Sequence, residues 1–206
     1  MIEVRRSRIV YVLIDCSGSM RGQPISIAQT ELRELLSQLK YISRYTKSNI
    51  LTRVILFDEQ VRTDFVPLCG AGSAPPIPRI SIKPDRKGLY PLSDYGKLFT
   101  LLKKRLAAIS ETQDSDVTLI LFTDGDIVTH SRRLTSAVSA LQDNDLLLDS
   151  SFCQRYVVLT KAHKKCDAMN GSGLLETFAG ITDHIYYNDK FCSLLDRLSA
   201  DLIHGC

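Results

Sequence analysis

Residues 9–14, Ile-Val-Tyr-Val-Leu-Ile, run without a charge and then break abruptly into Asp15-Cys16-Ser17-Gly18-Ser19-Met20. An apolar run of this length fits a strand buried on both faces, as in a parallel sheet covered by helices. The break puts one carboxylate and two hydroxyls on a single tight turn with a glycine between the serines. Three hard oxygen donors so placed are what a small divalent cation such as magnesium takes.

A second buried strand is expected over 117–122, Val-Thr-Leu-Ile-Leu-Phe, and it too ends in an acidic turn, Thr123-Asp124-Gly125-Asp126. Between and around these runs the spacing predicts alternating elements. After Pro24, which a first helical turn tolerates, Ile27, Leu32, Leu35, Leu36, Leu39 and Ile42 recur at threes and fours, so a helix runs over 24–45. Strands are expected over 52–57 and 60–66, joined as a hairpin across Asp58-Glu59. The stretch 68–88 is rich in proline and glycine and reads as irregular. Helices follow over 94–110, 131–142, 174–178 and 191–203, with strands over 155–160 and 184–187. This order gives an α/β fold: a doubly wound, mostly parallel sheet with one antiparallel edge strand and helices on both faces. Ligands of such sheets bind outside the carboxyl ends of the strands, where strand order reverses, and both acidic turns fall on that edge.

The loops together resemble the metal-ion-dependent adhesion site (MIDAS) of von Willebrand factor type A (VWA) domains. Asp-x-Ser-Gly-Ser after one buried strand and Thr-Asp-Gly after another carry the resemblance, which covers nearly the whole chain. The resemblance implies a third loop that supplies a threonine at the start of a helix. Ser93-Asp94-Tyr95-Gly96 stands at that place, with serine for threonine. A different register, over Tyr90-Pro91-Leu92, would put a tyrosine there and cost a ligand. The implied metal shell is Asp15, Ser17, Ser19, Ser93 and Asp124, the last acting directly or through a water, around Mg²⁺ or Mn²⁺. Within the family, Asp15 to Ile25 is similar to the short intracellular bacterial kind associated with tellurium resistance and stress.

Composition narrows the rest. At 206 residues the chain fits one domain, 1–206, and 44% hydrophobic with 24% charged residues is globular rather than disordered. A net charge of +3 is too small for a nucleic-acid binder. No apolar stretch approaches the roughly 20 residues of a membrane helix, and the N-terminus lacks the apolar core of a signal peptide. Cys16, Cys69, Cys153, Cys166, Cys192 and Cys206 show no C-x-x-C spacing, so reduced thiols and a cytoplasmic location are expected. His130, His163, His184 and His204 have no metal spacing, and Asp126 reads as a solvated turn residue.

Each candidate has a plainer role. Asp15, Ser17 and Ser93 could cap the helices that follow them, and Thr-Asp-Gly is common in turns. Cys16 reads as a small packing residue. An ion held by one or two carboxylates and neutral hydroxyls keeps positive charge and an open position, which an acidic group from a partner protein can fill. Basic residues near this edge, Arg21, Arg79, Lys83, Arg86, Lys87, Lys161, His163, Lys164 and Lys165, are either solvated charges or a rim that steers an acidic or phosphorylated protein. The enzyme alternative is a hydrolase resembling haloacid dehalogenase-like phosphatases, with Asp15 as nucleophile. Their second Asp is replaced here by Ser17, which is no acid near neutral pH, and no phosphate loop of the G-x-x-x-x-G-K type occurs. A scaffold whose site holds no ion is the remaining alternative. The expectation is a binding module without catalytic turnover.

Overall fold

A computed structural model describes residues 7–62, 69–70, 80–112, 115–127, 131–161, 172–180 and 184–204. Its strands are β1 (Ser7–Asp15), β2 (Ile50–Phe57), β3 (Val61–Arg62), β4 (Cys69–Gly70), β5 (Ser115–Thr123), β6 (Cys153–Leu159) and β7 (Ile185–Tyr187). Its helices are α1 (Gln23–Thr46), α2 (Tyr95–Thr112), α3 (Ser131–Gln142), α4 (Asp145–Leu148), α5 (Ser172–Ala179) and α6 (Phe191–His204).

Five strands lie side by side in the order β2-β1-β5-β6-β7, all parallel. The expectation of one antiparallel edge strand is corrected. Two stretches of two residues each, β3 and β4, pair antiparallel with the outer edge of β2. Two-residue pieces are too short to show the alternation by which a strand is read from sequence. Residues 63–68, which hold part of the expected second hairpin strand, lie outside the described residues.

Side chains of β1 alternate between two cores, which makes the sheet doubly wound. Val10, Val12 and Ile14 pack with Ile120 and Phe122 beneath α1 and α6, against Leu32, Leu35, Leu39, Leu194 and Leu198. Ile9, Tyr11 and Leu13 face the other way, with α2, α3 and α5, against Leu98, Phe99, Leu102, Leu141 and Phe178. Leu13, Ile14 and Phe122 are fully buried, and each such side chain contributes about 1.5–3 kcal/mol. The four-residue α4 was not expected, because it is too short to show a helical period; Asn144 caps it by accepting from the Leu147 N–H at 3.2 Å.

The chain leaves β1 through α1 to β2 on one side, then returns through α2 on the opposite face to β5 on the other side. Strand order therefore reverses between β1 and β5. The register there is tight, with Ile14 opposite Phe122, so Asp15 and Thr123 end their strands together. That is the crevice where ligands of open α/β sheets bind.

Candidate functional site

At the end of β1 the chain folds back on its own carboxylate. The Ser17 N–H donates to Asp15 Oδ1 at 2.9 Å, and the hydroxyls of Ser17 and Ser19 are 3.1 Å apart. Ser19 Oγ in turn donates to Asp124 Oδ1 at 3.2 Å, joining the first turn to the second across the strand pair. Asp15, Ser17 and Asp124 are buried and Ser19 is partly exposed. Ser17 makes no side-chain cap and α1 begins past Gly22, so capping does not account for the turn. Gly18 is required here. A Cβ on it would fall 2.5 Å from Tyr90 Cβ, because its N–H donates to the Pro91 carbonyl at 2.8 Å. Met20, fully buried in the core, plugs the turn from below, and Cys16 packs in the same core.

The second oxygen of Asp15 is held by groups the sequence did not single out. Tyr95 OH and Thr123 Oγ1 each donate to Asp15 Oδ2 at 3.1 Å, and their own oxygens are 3.0 Å apart. Thr123 Oγ1 also accepts from the Gly125 N–H at 3.2 Å. Gly125 has φ of 81°, the left-handed region that glycine adopts freely. Thr123 could have been found by aligning the two buried strands as parallel neighbours. Tyr95 could not, because nothing local says which way the first residue of a helix points.

Ser93 sits just before α2 and is buried, with its hydroxyl unpartnered among the described residues. It does not cap the helix. Asp94 does, its Oδ1 accepting from the Lys97 N–H at 3.0 Å. Tyr90, the tyrosine of the other register, instead lies under the Arg21 guanidinium, 5.0 Å from its ring centroid, and accepts from it.

A cation reaches this cluster from β6. Thr160 continues the ladder, its N–H donating to the Thr123 carbonyl at 2.9 Å. The next residue, Lys161, turns its ammonium inward to 3.0 Å from Asp124 Oδ2 and pairs also with Asp126. Lys161 is thus part of the cluster rather than of its outer rim, and Asp126 is an exposed turn residue that also pairs with it. Burial opposes the lysine's charge, but Asp126 and Asp124 outweigh it and raise its pKa. Burial pushes the Asp15 carboxyl up to about 6, with Asp124 adding to the rise against the hydrogen bonds from Ser17 and Tyr95. Burial and the Asp15 carboxylate raise the Tyr95 hydroxyl well above its ordinary value, so it remains a neutral donor.

The five expected ligands thus divide. Asp15, Ser17, Ser19 and Asp124 join in one hydrogen-bonded chain, and Ser93 lies buried on the loop that Gly18 contacts. Among the described residues no three His, Cys, Asp or Glu side chains group as a metal site. The donor set consists of hard oxygens, mostly hydroxyls, and its chemistry fits magnesium or manganese and no softer ion. Lys83, Arg86 and Lys87 are exposed, while Arg79, His163, Lys164 and Lys165 lie outside the described residues, as does His130. His184 is structural, its Nδ1 2.9 Å from the Arg155 carbonyl. Cys153 and Cys192 are free thiols, and the Cys16 thiol donates to the Ile14 carbonyl at 3.6 Å.

No family model matches the sequence, and no curated protein matches it. Solved structures do resemble the fold. The pilus adhesin SpaC of Lactobacillus rhamnosus GG aligns with a TM-score of 0.66 at 12% identity over 97% of this chain and 30% of its own. A von Willebrand factor type A protein from Catenulispora acidiphila aligns with a TM-score of 0.60 at 12% identity, over 96% of this chain and 43% of its own. An aerotolerance-related membrane protein from Bacteroides fragilis NCTC 9343 aligns with a TM-score of 0.57 at 16% identity, over 95% of this chain and 98% of its own. The chain spans less than half of the adhesin and of the Catenulispora protein. The chain shares the α/β fold of these structures, a von Willebrand factor type A protein among them. No helix among the described residues is long and apolar enough to cross a membrane.

Proposed function

We propose that the chain is a metal-ion-dependent protein-interaction module, in which Asp15, Ser17, Ser19, Ser93 and Asp124 hold Mg²⁺ or Mn²⁺. The observation that carries this reading is the Ser93 hydroxyl, buried and unpartnered on the loop that abuts the Asp15 turn. A buried hydroxyl left unmade costs about 1–3 kcal/mol, and a ligand role would offset that cost. The ion would supply positive charge and an open coordination position. The chain's own groups do the positioning: Tyr95 and Thr123 orient Asp15, and Ser19 ties the two acidic turns together. The partner is then a protein presenting an acidic or phosphorylated group, steered by Arg21, Lys83, Arg86 and Lys87. An adhesin among the structures with this fold is in keeping with an interaction role.

Catalytic turnover is not part of this proposal. Ser17 stands where a general acid would be needed, and burial holds the Tyr95 hydroxyl protonated, so it offers no base. A cytoplasmic location agrees with the free thiols, the exposed Cys192 among them. A bacterial stress-response or signalling role, of the tellurium-resistance kind, rests on the Asp15 to Ile25 pattern.

Calorimetric titration with Mn²⁺ and Mg²⁺ tests the reading. Asp15→Ala should abolish binding without unfolding the domain, since Asp15 itself belongs to neither apolar core. Full affinity in that variant would sink the assignment. A pull-down with and without EDTA should recover different partners. Hydrolysis of phosphate esters or nucleotides that disappears in Asp15→Asn would replace the binding module by a hydrolase.

A further inference from the structure

Lys161 reaches the acidic cluster from the end of β6. Its backbone is set by the sheet. Leu159 is in register with Thr123, and Thr160 donates to the Thr123 carbonyl through both its N–H, at 2.9 Å, and its hydroxyl, at 3.2 Å. The lysine is therefore delivered to the Asp124 turn by two strands in register, not by a wandering loop. Its side chain is three-quarters buried, and that of Asp124, which it meets at 3.0 Å, is wholly so. Asp126, the other carboxylate it touches, is half exposed. The ammonium bridges an inner carboxylate and an outer one.

Resting on the reading of this cluster as a divalent-ion site, we propose that Lys161 is a tethered counter-ion that competes with the metal for Asp124. A charged carboxylate as buried as Asp124 needs hydrogen bonds or a positive partner, and Lys161 supplies the latter. The ammonium and a divalent ion both satisfy that need, but two cations drawing on one carboxylate repel each other. With an ion held at Asp124, the ammonium would keep its pairing with Asp126, the outer of its two carboxylates. The exchange keeps Asp124 neutralised in both states. It also leaves a positive group at the rim when the ion is in place, where an acidic partner docks.

Lys161→Gln and the charge-keeping Lys161→Arg distinguish this role from that of an ordinary surface lysine. In EDTA, Lys161→Gln should melt below the wild type, because Asp124 is left buried and unpaired, and saturating Mn²⁺ should close the gap. By calorimetry Lys161→Gln should bind Mn²⁺ about tenfold more tightly than the wild type, while Lys161→Arg stays near it. Equal Mn²⁺ affinity in wild type and Lys161→Gln, with binding still lost in Asp15→Ala, overturns the competition and leaves the metal site standing. Absence of Mn²⁺ binding from wild type and Lys161→Gln alike overturns both. An unchanged melting temperature of Lys161→Gln in EDTA also overturns the counter-ion role.

Discussion

The two edges of the sheet bury polar groups in opposite styles. At the amino edge the pairing is direct and closed. Arg8 donates through Nη1 to the Asp201 carbonyl at 2.9 Å, its own N–H bonds the Asn49 carbonyl at 3.0 Å, and Tyr156 donates to the Asp201 carboxylate at 2.8 Å. At the carboxyl edge two buried carboxylates face one another's loops, Asp15 is pushed toward its protonated form, Ser93 has an unpartnered hydroxyl and one lysine serves two acids. Both edges terminate the same strands, so packing cannot explain the difference. A polar cluster built for stability satisfies its members with fixed partners, whereas one built for a ligand leaves donors and acceptors to be satisfied by the ligand.

Substitutions can break this contrast. The largest effect is expected at Gly18→Ala, where a methyl 2.5 Å from Tyr90 Cβ should push the 90–93 loop off the Asp15 turn. Chemical denaturation should show a loss of about 2–3 kcal/mol, and calorimetry a weaker Mn²⁺ affinity with it. Tyr156→Phe at the amino edge should cost about 1.5 kcal/mol through the lost hydrogen bond to Asp201 and leave Mn²⁺ affinity untouched; a change in affinity would mean the two edges are coupled.

A pH series sharpens the comparison with a third carboxyl. Glu31 on α1 is buried with Oε2 unpartnered among the described residues, and burial, with Glu34 adding, pushes it up to about 8 from 4.5. A carboxyl raised on folding binds its proton more tightly in the native state. Stability from this group is therefore full at acid pH and falls as pH rises from about 4.5 through about 8. Asp15 adds a fall of the same sign that ends at about 6. Melting curves of Glu31→Gln should flatten the upper part of this slope and leave the Asp15 part. The smallest effect is expected from Ser93→Ala in EDTA. Removing a buried, unpartnered hydroxyl should leave the melting temperature at or slightly above that of wild type, while Mn²⁺ affinity drops. A clear loss of stability in EDTA would show that Ser93 has a structural role instead.

Much of this was legible in the residues, and for a physical reason in each case. Strands β1 and β5 announce themselves because a strand buried on both faces must be apolar throughout, and α1 because a helix with one buried face must repeat at threes and fours. The acidic turns follow directly from where those runs stop. Other features were not legible because they depend on register and on side-chain direction. The antiparallel edge is split into two pieces too short to show the alternation of a strand. That Thr123 and Tyr95 orient Asp15 requires β1, β5 and the first turn of α2 to be brought together, over separations of 108 and 80 residues. Lys161 looked like one basic residue among several until the pairing of β6 with β5 fixed its backbone beside Asp124. The chain's local sequence thus determined which elements form and where its acidic turns lie. Only the tertiary structure decided which groups restrain those carboxylates and which hydroxyl is left without a partner, because burial and pairing belong to the packed sheet and not to any one of its segments.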